Sequence, residues 1–115
     1  MNDLDIDVIR GLDLVDFKEK GYSFMGDNID YDIEENIFII LKELSIVMHE
    51  DMLLKGNKRT NLEKELVCIS EENAENLKEM LGQLEGFLKL LGYDADVYVS
   101  QKEENIVYVD IIVSD

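Results

Sequence analysis

The hydrophobic pattern predicts an α+β fold: a small, mostly antiparallel three-stranded sheet packed against two long helices. The sheet comprises one strand and a C-terminal hairpin, and a further N-terminal helix or short strand completes the chain. Three observations point there. Two long stretches repeat their apolar side chains at helical spacing, a short apolar run lies between them, and the C-terminal end alternates around a turn. The chain has 115 residues, no proline and no Ser/Gly linker, so residues 1–115 are expected to form a single domain.

At the N-terminus, Leu4, Val8, Leu12 and Val15 suit a helix over about residues 7–20, whereas Leu4, Ile6 and Val8 alternate as in a short strand. Gly11 weakens the helix by about 1 kcal/mol relative to alanine. Residues 21–28 read as a loop or edge strand around Tyr22 and Phe24. Asp30 or Asp32 can then cap a helix over residues 33–54, with Glu34 and Glu35 suited to the positive end of its dipole. Ile33, Ile37, Ile40, Leu41, Leu44, Val47, Met48 and Met52 follow the 3.6-residue period. Phe38, Ile39 and Ile46 widen that stripe to most of the circumference, which predicts a buried central helix. Lys55 and Gly56 suit its C-terminus.

Residues 57–61 read as a polar, basic turn and residues 65–69 as a strand. Ser70 is placed to cap a helix over residues 71–91, with Glu71 and Glu72 in the first turn. Its apolar face is Ala74, Leu77, Met80, Leu81, Leu84, Leu88 and Leu91, and Gly92 ends it. Residues 95–100 and 106–113 form the hairpin, joined by residues 101–105. The last strand is apolar on both faces except at Asp110, which predicts a central place in the sheet.

The charge is the strongest functional signal. Asp and Glu number 27 against 11 Lys and Arg, a formal net charge of -16. Residues 1–36 and 71–115 each carry 11 acidic and 3 basic side chains, whereas residues 37–70 carry 5 of each. Two acidic blocks thus flank a neutral middle. Such a surface argues against direct binding of nucleic acid or an anionic membrane. No apolar run approaches the roughly 18 to 20 residues of a membrane span. The opening residues lack the basic and apolar segments of a secretory signal, and one cysteine makes no internal disulfide, so a cytoplasmic location is expected.

Catalytic and metal-binding patterns are weak. Asp3, Asp5 and Asp7 imitate the start of a calcium loop, but Val8 and Leu14 stand where its glycine and last glutamate belong. Asp30, Asp32 and Glu34 fail the same test at Glu35 and Leu41. His49-Glu50 begins like a zinc-protease helix, but Leu53 replaces the second histidine. Cys68 lies within an apolar strand, as inert thiols do. Residues 55–60 lack the glycine spacing of a phosphate loop. No enzyme activity, metal or cofactor is therefore expected.

What survives is two rows of carboxylates. Glu72, Glu75 and Glu79 follow Glu71 at helical spacing on the side away from the leucines, about 5 to 6 Å apart, where like charges repel. Asp27, Asp30, Asp32, Glu34 and Glu35 crowd the start of the preceding helix. Capping accounts for one or two of these. Such rows can imitate a phosphate backbone and occupy a groove lined with Lys and Arg. The expected function is an acidic, protein-binding inhibitor: a nucleic-acid mimic of phage or mobile-element origin that blocks a basic groove of a nuclease or other host-defence protein. Two alternatives stand beside it, an immunity or antitoxin-like protein that neutralises a cationic toxin and a non-enzymatic acidic adaptor subunit whose charge serves solubility. The sequence leaves the oligomeric state open.

Overall fold

A computed structural model describes Phe17, Glu19 and residues 31–115. The described elements are helix α1 (Tyr31–Met48), continued by a wider π-helical segment (His49–Leu54), then strand β1 (Arg59–Val67), helix α2 (Glu71–Leu90) and strands β2 (Asp94–Glu103) and β3 (Ile106–Ser114). The sheet order is β1-β3-β2 with both pairings antiparallel. β3 is thus central, as its apolar sequence requires. The fold is α+β, two long helices over a three-stranded antiparallel sheet.

One face of the sheet is the floor of the core. Val107, Val109, Ile111 and Val113 of β3 are completely buried, flanked by Leu62 and Leu66 of β1 and Ala95 of β2. α1 lies mainly over β1, and α2 mainly over β2. The helices close the core with Ile37, Leu41 and Leu44 from α1 and Leu77, Leu81, Leu84 and Leu88 from α2. Phe87 joins them and meets Phe17 edge to face, with ring centroids 5.2 Å apart. Phe17 and Glu19 are helical, and the rest of the expected N-terminal helix or strand lies outside the described residues.

Four expectations change in detail. α1 is amphipathic instead of buried all round: Phe38 and Ile46 lie on its outer side, Phe38 with 48% of its surface exposed. A helix resting on a single sheet layer has an uncovered back, whatever its composition. The last six residues of that helix widen to the π form, with Lys55 N–H bonded to Glu50 O, before Gly56 turns the chain at φ +71°. β1 starts at Arg59, inside the segment expected to be a basic turn, because register with β3 runs from Arg59 opposite Ser114 to Val67 opposite Ile106. Pairing along a full-length neighbour outweighs the low strand propensity of Asn61. The hairpin loop is also shorter than expected. Only Glu104 and Asn105 turn, and the excess residue is taken up by a register shift between Gln101 and Glu103.

Both outer strands carry protection against further pairing. Lys64 of β1 points to the helix side, where its Nζ lies 3.0 Å from Glu43 of α1. At the opposite edge, Glu85 of α2 accepts a hydrogen bond from Val97 N–H of β2 at 3.0 Å. An inward charge and an occupied edge amide both discourage strand addition.

Candidate functional site

The first turns of α1 and α2, each of which carries acidic residues seen in sequence, meet in the fold. Ser70 is extended (φ -155°, ψ 165°), and its hydroxyl accepts the Asn73 N–H at 3.1 Å, as an N-cap should. Asp32, in the first turn of α1, reaches across to that same corner. Its Oδ2 accepts hydrogen bonds from Ile69 N–H and from Asn73 Nδ2, both at 3.0 Å. Asn36, one turn further along α1, donates from Nδ2 to Asp32 O at 2.9 Å and to Val67 O at 3.3 Å. These bonds clip the start of α1 to the start of α2. Asp32 is thereby brought to the corner where Glu71 and Glu72 begin α2, 39 and 40 residues further along the chain.

The members of the cluster differ in what they do there. Asp32 is half-buried and committed to the clip. Glu34 is half-buried, while Glu35, Glu71, Glu72, Glu75 and Glu79 are exposed. Asp27 and Asp30 lie outside the described residues. Glu71 and Glu72 fall in the first turn of α2, where the helix dipole favours negative charge by about 0.3 to 1 kcal/mol. That effect fades after one turn, so Glu75 and Glu79 gain little from it. Lysines form ion pairs elsewhere among the described residues: Lys55 with Glu50, Lys64 with Glu43, Lys89 with Glu85 and Lys102 with Glu65. None of these reaches Glu72, Glu75 or Glu79. Lys78, next to Glu79 on α2, relieves part of the repulsion, but among the described residues the row has no ion-pair partner.

A second polar surface was not singled out by sequence reasoning: the sheet face away from the helices. Alternation places Asn61, Glu63 and Glu65 of β1, Asp96, Tyr98 and Ser100 of β2, and Tyr108, Asp110 and Ile112 of β3 on it. Its groups are cross-linked. Tyr108 donates its hydroxyl hydrogen to Glu63, and Asn61 Nδ2 donates to Asp110 Oδ1 at 2.6 Å. Lys102 pairs with Glu65 at 2.9 Å, and its Nζ lies 5.5 Å from the centroid of the Tyr108 ring. Because Glu63 accepts a hydrogen bond from the neutral phenol and neighbouring carboxylates oppose a phenolate, the Tyr108 pKa is pushed up to about 12. Glu85 shifts the other way. The Val97 amide and the Lys89 ammonium both favour its charged form, holding its carboxyl below the ordinary range. The signal for this second surface was present in the alternation of β3, whose Tyr108, Asp110 and Ile112 side chains share the face opposite the core.

Reactive groups stand apart. His49 Nδ1 is buried, and among the described residues it has no hydrogen-bond partner. Cys68 is buried, with Asn36 Nδ2 4.0 Å from its sulfur. Among the described residues, no three His, Cys, Asp or Glu side chains are grouped to hold a metal ion. Among them, too, no helix is long and apolar enough to cross a membrane. Comparison with protein-family models, with curated proteins and with solved structures returns no match to this chain.

Proposed function

We propose that this chain is an acidic inhibitor that binds another protein by presenting carboxylates to a basic, nucleic-acid-binding groove. One observation carries the reading: Glu72, Glu75 and Glu79 form an exposed row without an ion-pair partner among the described residues, on the helix whose start is clipped to the acidic start of α1. Like charges at this spacing cost a few tenths of a kcal/mol per pair. Glu72 recovers some of that cost from the helix dipole, but Glu75 and Glu79 lie beyond its reach, and on this reading their return lies outside the molecule. A row of carboxylates on a rigid helix needs no reorganisation to meet Lys and Arg side chains, and it speeds encounter through long-range attraction. The phage or mobile-element setting, with a defence nuclease as target, is the biological form this reading takes, and a cationic toxin is the alternative target with the same chemistry.

The test is a partner isolated by pull-down, followed by competition. DNA or RNA is expected to displace the protein from its partner, and charge reversal of Glu72, Glu75 and Glu79 together is expected to weaken binding. Contacts at the rim act through the association rate, whereas loss of a carboxylate from a desolvated arginine speeds dissociation and costs about 2 to 5 kcal/mol. Partner binding that nucleic acid does not disturb rejects mimicry.

The adaptor reading has its own support in the outer side of α1, where Tyr31, Phe38 and Ile46 are exposed. It predicts binding that is insensitive to salt and lost on Phe38→Glu.

A further inference from the structure

We propose that the open face of the sheet is a second docking surface, which takes an arginine-bearing segment of a partner protein with Tyr98 as the receiving ring. The proposal rests on the reading that the chain binds basic proteins but uses a face remote from the α2 row. The molecule already displays the chemistry. At Tyr108, a cation lies over the ring while an adjacent carboxylate, Glu65, holds its charge. Tyr98 likewise stands beside carboxylates, of which Asp110 uses one oxygen to accept from Asn61. Tyr98 is directly opposite Asp110 in the register, and Asp96 is two residues along the same strand on the same face. Its side chain is 58% exposed, and among the described residues no Lys or Arg lies over it.

Several features select the occupant. The two rings sit diagonally across β2 and β3, within the roughly 7 to 8 Å reach of cross-strand diagonal neighbours. Asp96 and Glu63 on either side give the strip a negative rim, which repels nucleic acid and favours cations. A guanidinium is flat enough to lie on a tyrosine while its N–H groups fork to a carboxylate, and it is less strongly hydrated than an ammonium. The edges of β1 and β2 are guarded by Lys64 and Glu85, so attachment falls on side chains of the face and not on strand addition. Beside Tyr108, the paired Glu65 and Lys102 line a shallow surface hollow with Glu103 and Ile106, so among the described residues the free carboxylate side of the strip is the one at Tyr98 and Asp96.

The probe is a synthetic peptide, acetyl-(Arg-Gly)4-amide, titrated into the isotopically labelled full chain at low salt and followed by amide NMR shifts. Saturable shifts are expected at Asp96, Tyr98 and Asp110. Tyr98→Ala is expected to weaken the peptide about fivefold, while Tyr98→Phe, which keeps the ring, stays within about twofold of wild type. A thermal melt checks that each variant folds. Reversal of Glu72, Glu75 and Glu79 is expected to leave the shifts of the sheet face in place. Shifts confined to α2, equal affinity for Tyr98→Ala, or no binding at all would each overturn the proposal. The nucleic-acid competition on the isolated partner decides the function separately.

Discussion

The acidic row on α2 and the acidic sheet face carry the same sign of charge in opposite conditions. On the sheet, Glu63 receives the Tyr108 hydroxyl, Glu65 holds Lys102 and Asp110 accepts from Asn61. On α2, Glu72, Glu75 and Glu79 are exposed and have no ion-pair partner among the described residues. The clip residue Asp32 belongs with the sheet in this respect, although in sequence it stands among the crowded acids. The lesson is that net charge divides into carboxylates that build the protein and carboxylates that burden it. The second kind has no role inside the fold and calls for an external explanation.

The largest expected effect concerns what the two surfaces share, a single core. Leu84, on the buried side of α2, touches the layer that supports both. Leu84→Ala is expected to cost about 2 to 5 kcal/mol in urea unfolding, a large part of the stability of a domain this size. An unchanged transition would mean that α2 does not bear on the sheet as described.

Next comes the contrast between Asp32 and the α2 row. Asp32→Ala removes an acceptor from both Ile69 N–H and Asn73 Nδ2 and is expected to cost about 1 to 3 kcal/mol. Changing Glu75 and Glu79 together to Gln, both beyond the reach of the helix dipole, is expected to leave stability unchanged or raise it by a few tenths of a kcal/mol. Equal losses from the two sets would erase the distinction.

Glu85 gives a smaller effect with a defined pH dependence. Its pKa is lower in the folded state than in the unfolded one, so its contribution is present above the ordinary carboxylate value, roughly 4.3, and is lost as pH falls through the folded value. Glu85→Gln is expected to cost on the order of 1 kcal/mol near neutrality, since the group is partly solvated, and nothing at strongly acidic pH. A cost that persists under acid would assign the effect to packing of the amide.

Tyr108 tests the cross-links of the sheet with the least disturbance. Its pKa, raised from 10.0 to about 12, means that its contribution to stability is present below about pH 10 and is lost as pH rises towards 12. In an ultraviolet titration of the folded protein, one tyrosine is expected to ionise last, and Glu63→Gln is expected to bring it back towards the ordinary value. A Tyr108 that titrates normally in wild type would leave the sheet acids as unengaged as those of α2.

Much of the architecture was legible because it rests on periodicity. Leu77, Leu81, Leu84 and Leu88 repeat at helical spacing, Ser70 is a capping residue before Glu71, and β3 alternates cleanly around its single acid. What was not legible depends on partners distant in the chain. Arg59, Thr60 and Asn61 resemble a turn until β3 pairs with them, and nothing local reveals that Phe38 faces outward from a one-layer support. The candidate site divides likewise. The row at Glu72, Glu75 and Glu79 follows from helix geometry, but the commitment of Asp32 to the start of α2 required the fold. Tyr98 and Tyr108 were visible as strand residues, yet their diagonal placement comes only from the register between β2 and β3.

The most direct test of the central claim, that the exposed carboxylates of α2 carry binding, is the salt dependence of affinity for the isolated partner, measured for wild type and for the Glu72→Lys, Glu75→Lys, Glu79→Lys variant. The account predicts that wild-type affinity falls steeply, by an order of magnitude or more between about 50 and 200 mM salt, and that the variant binds weakly at every concentration with a flatter slope. Affinity that barely changes with salt, or a variant that binds as well as wild type, would contradict it.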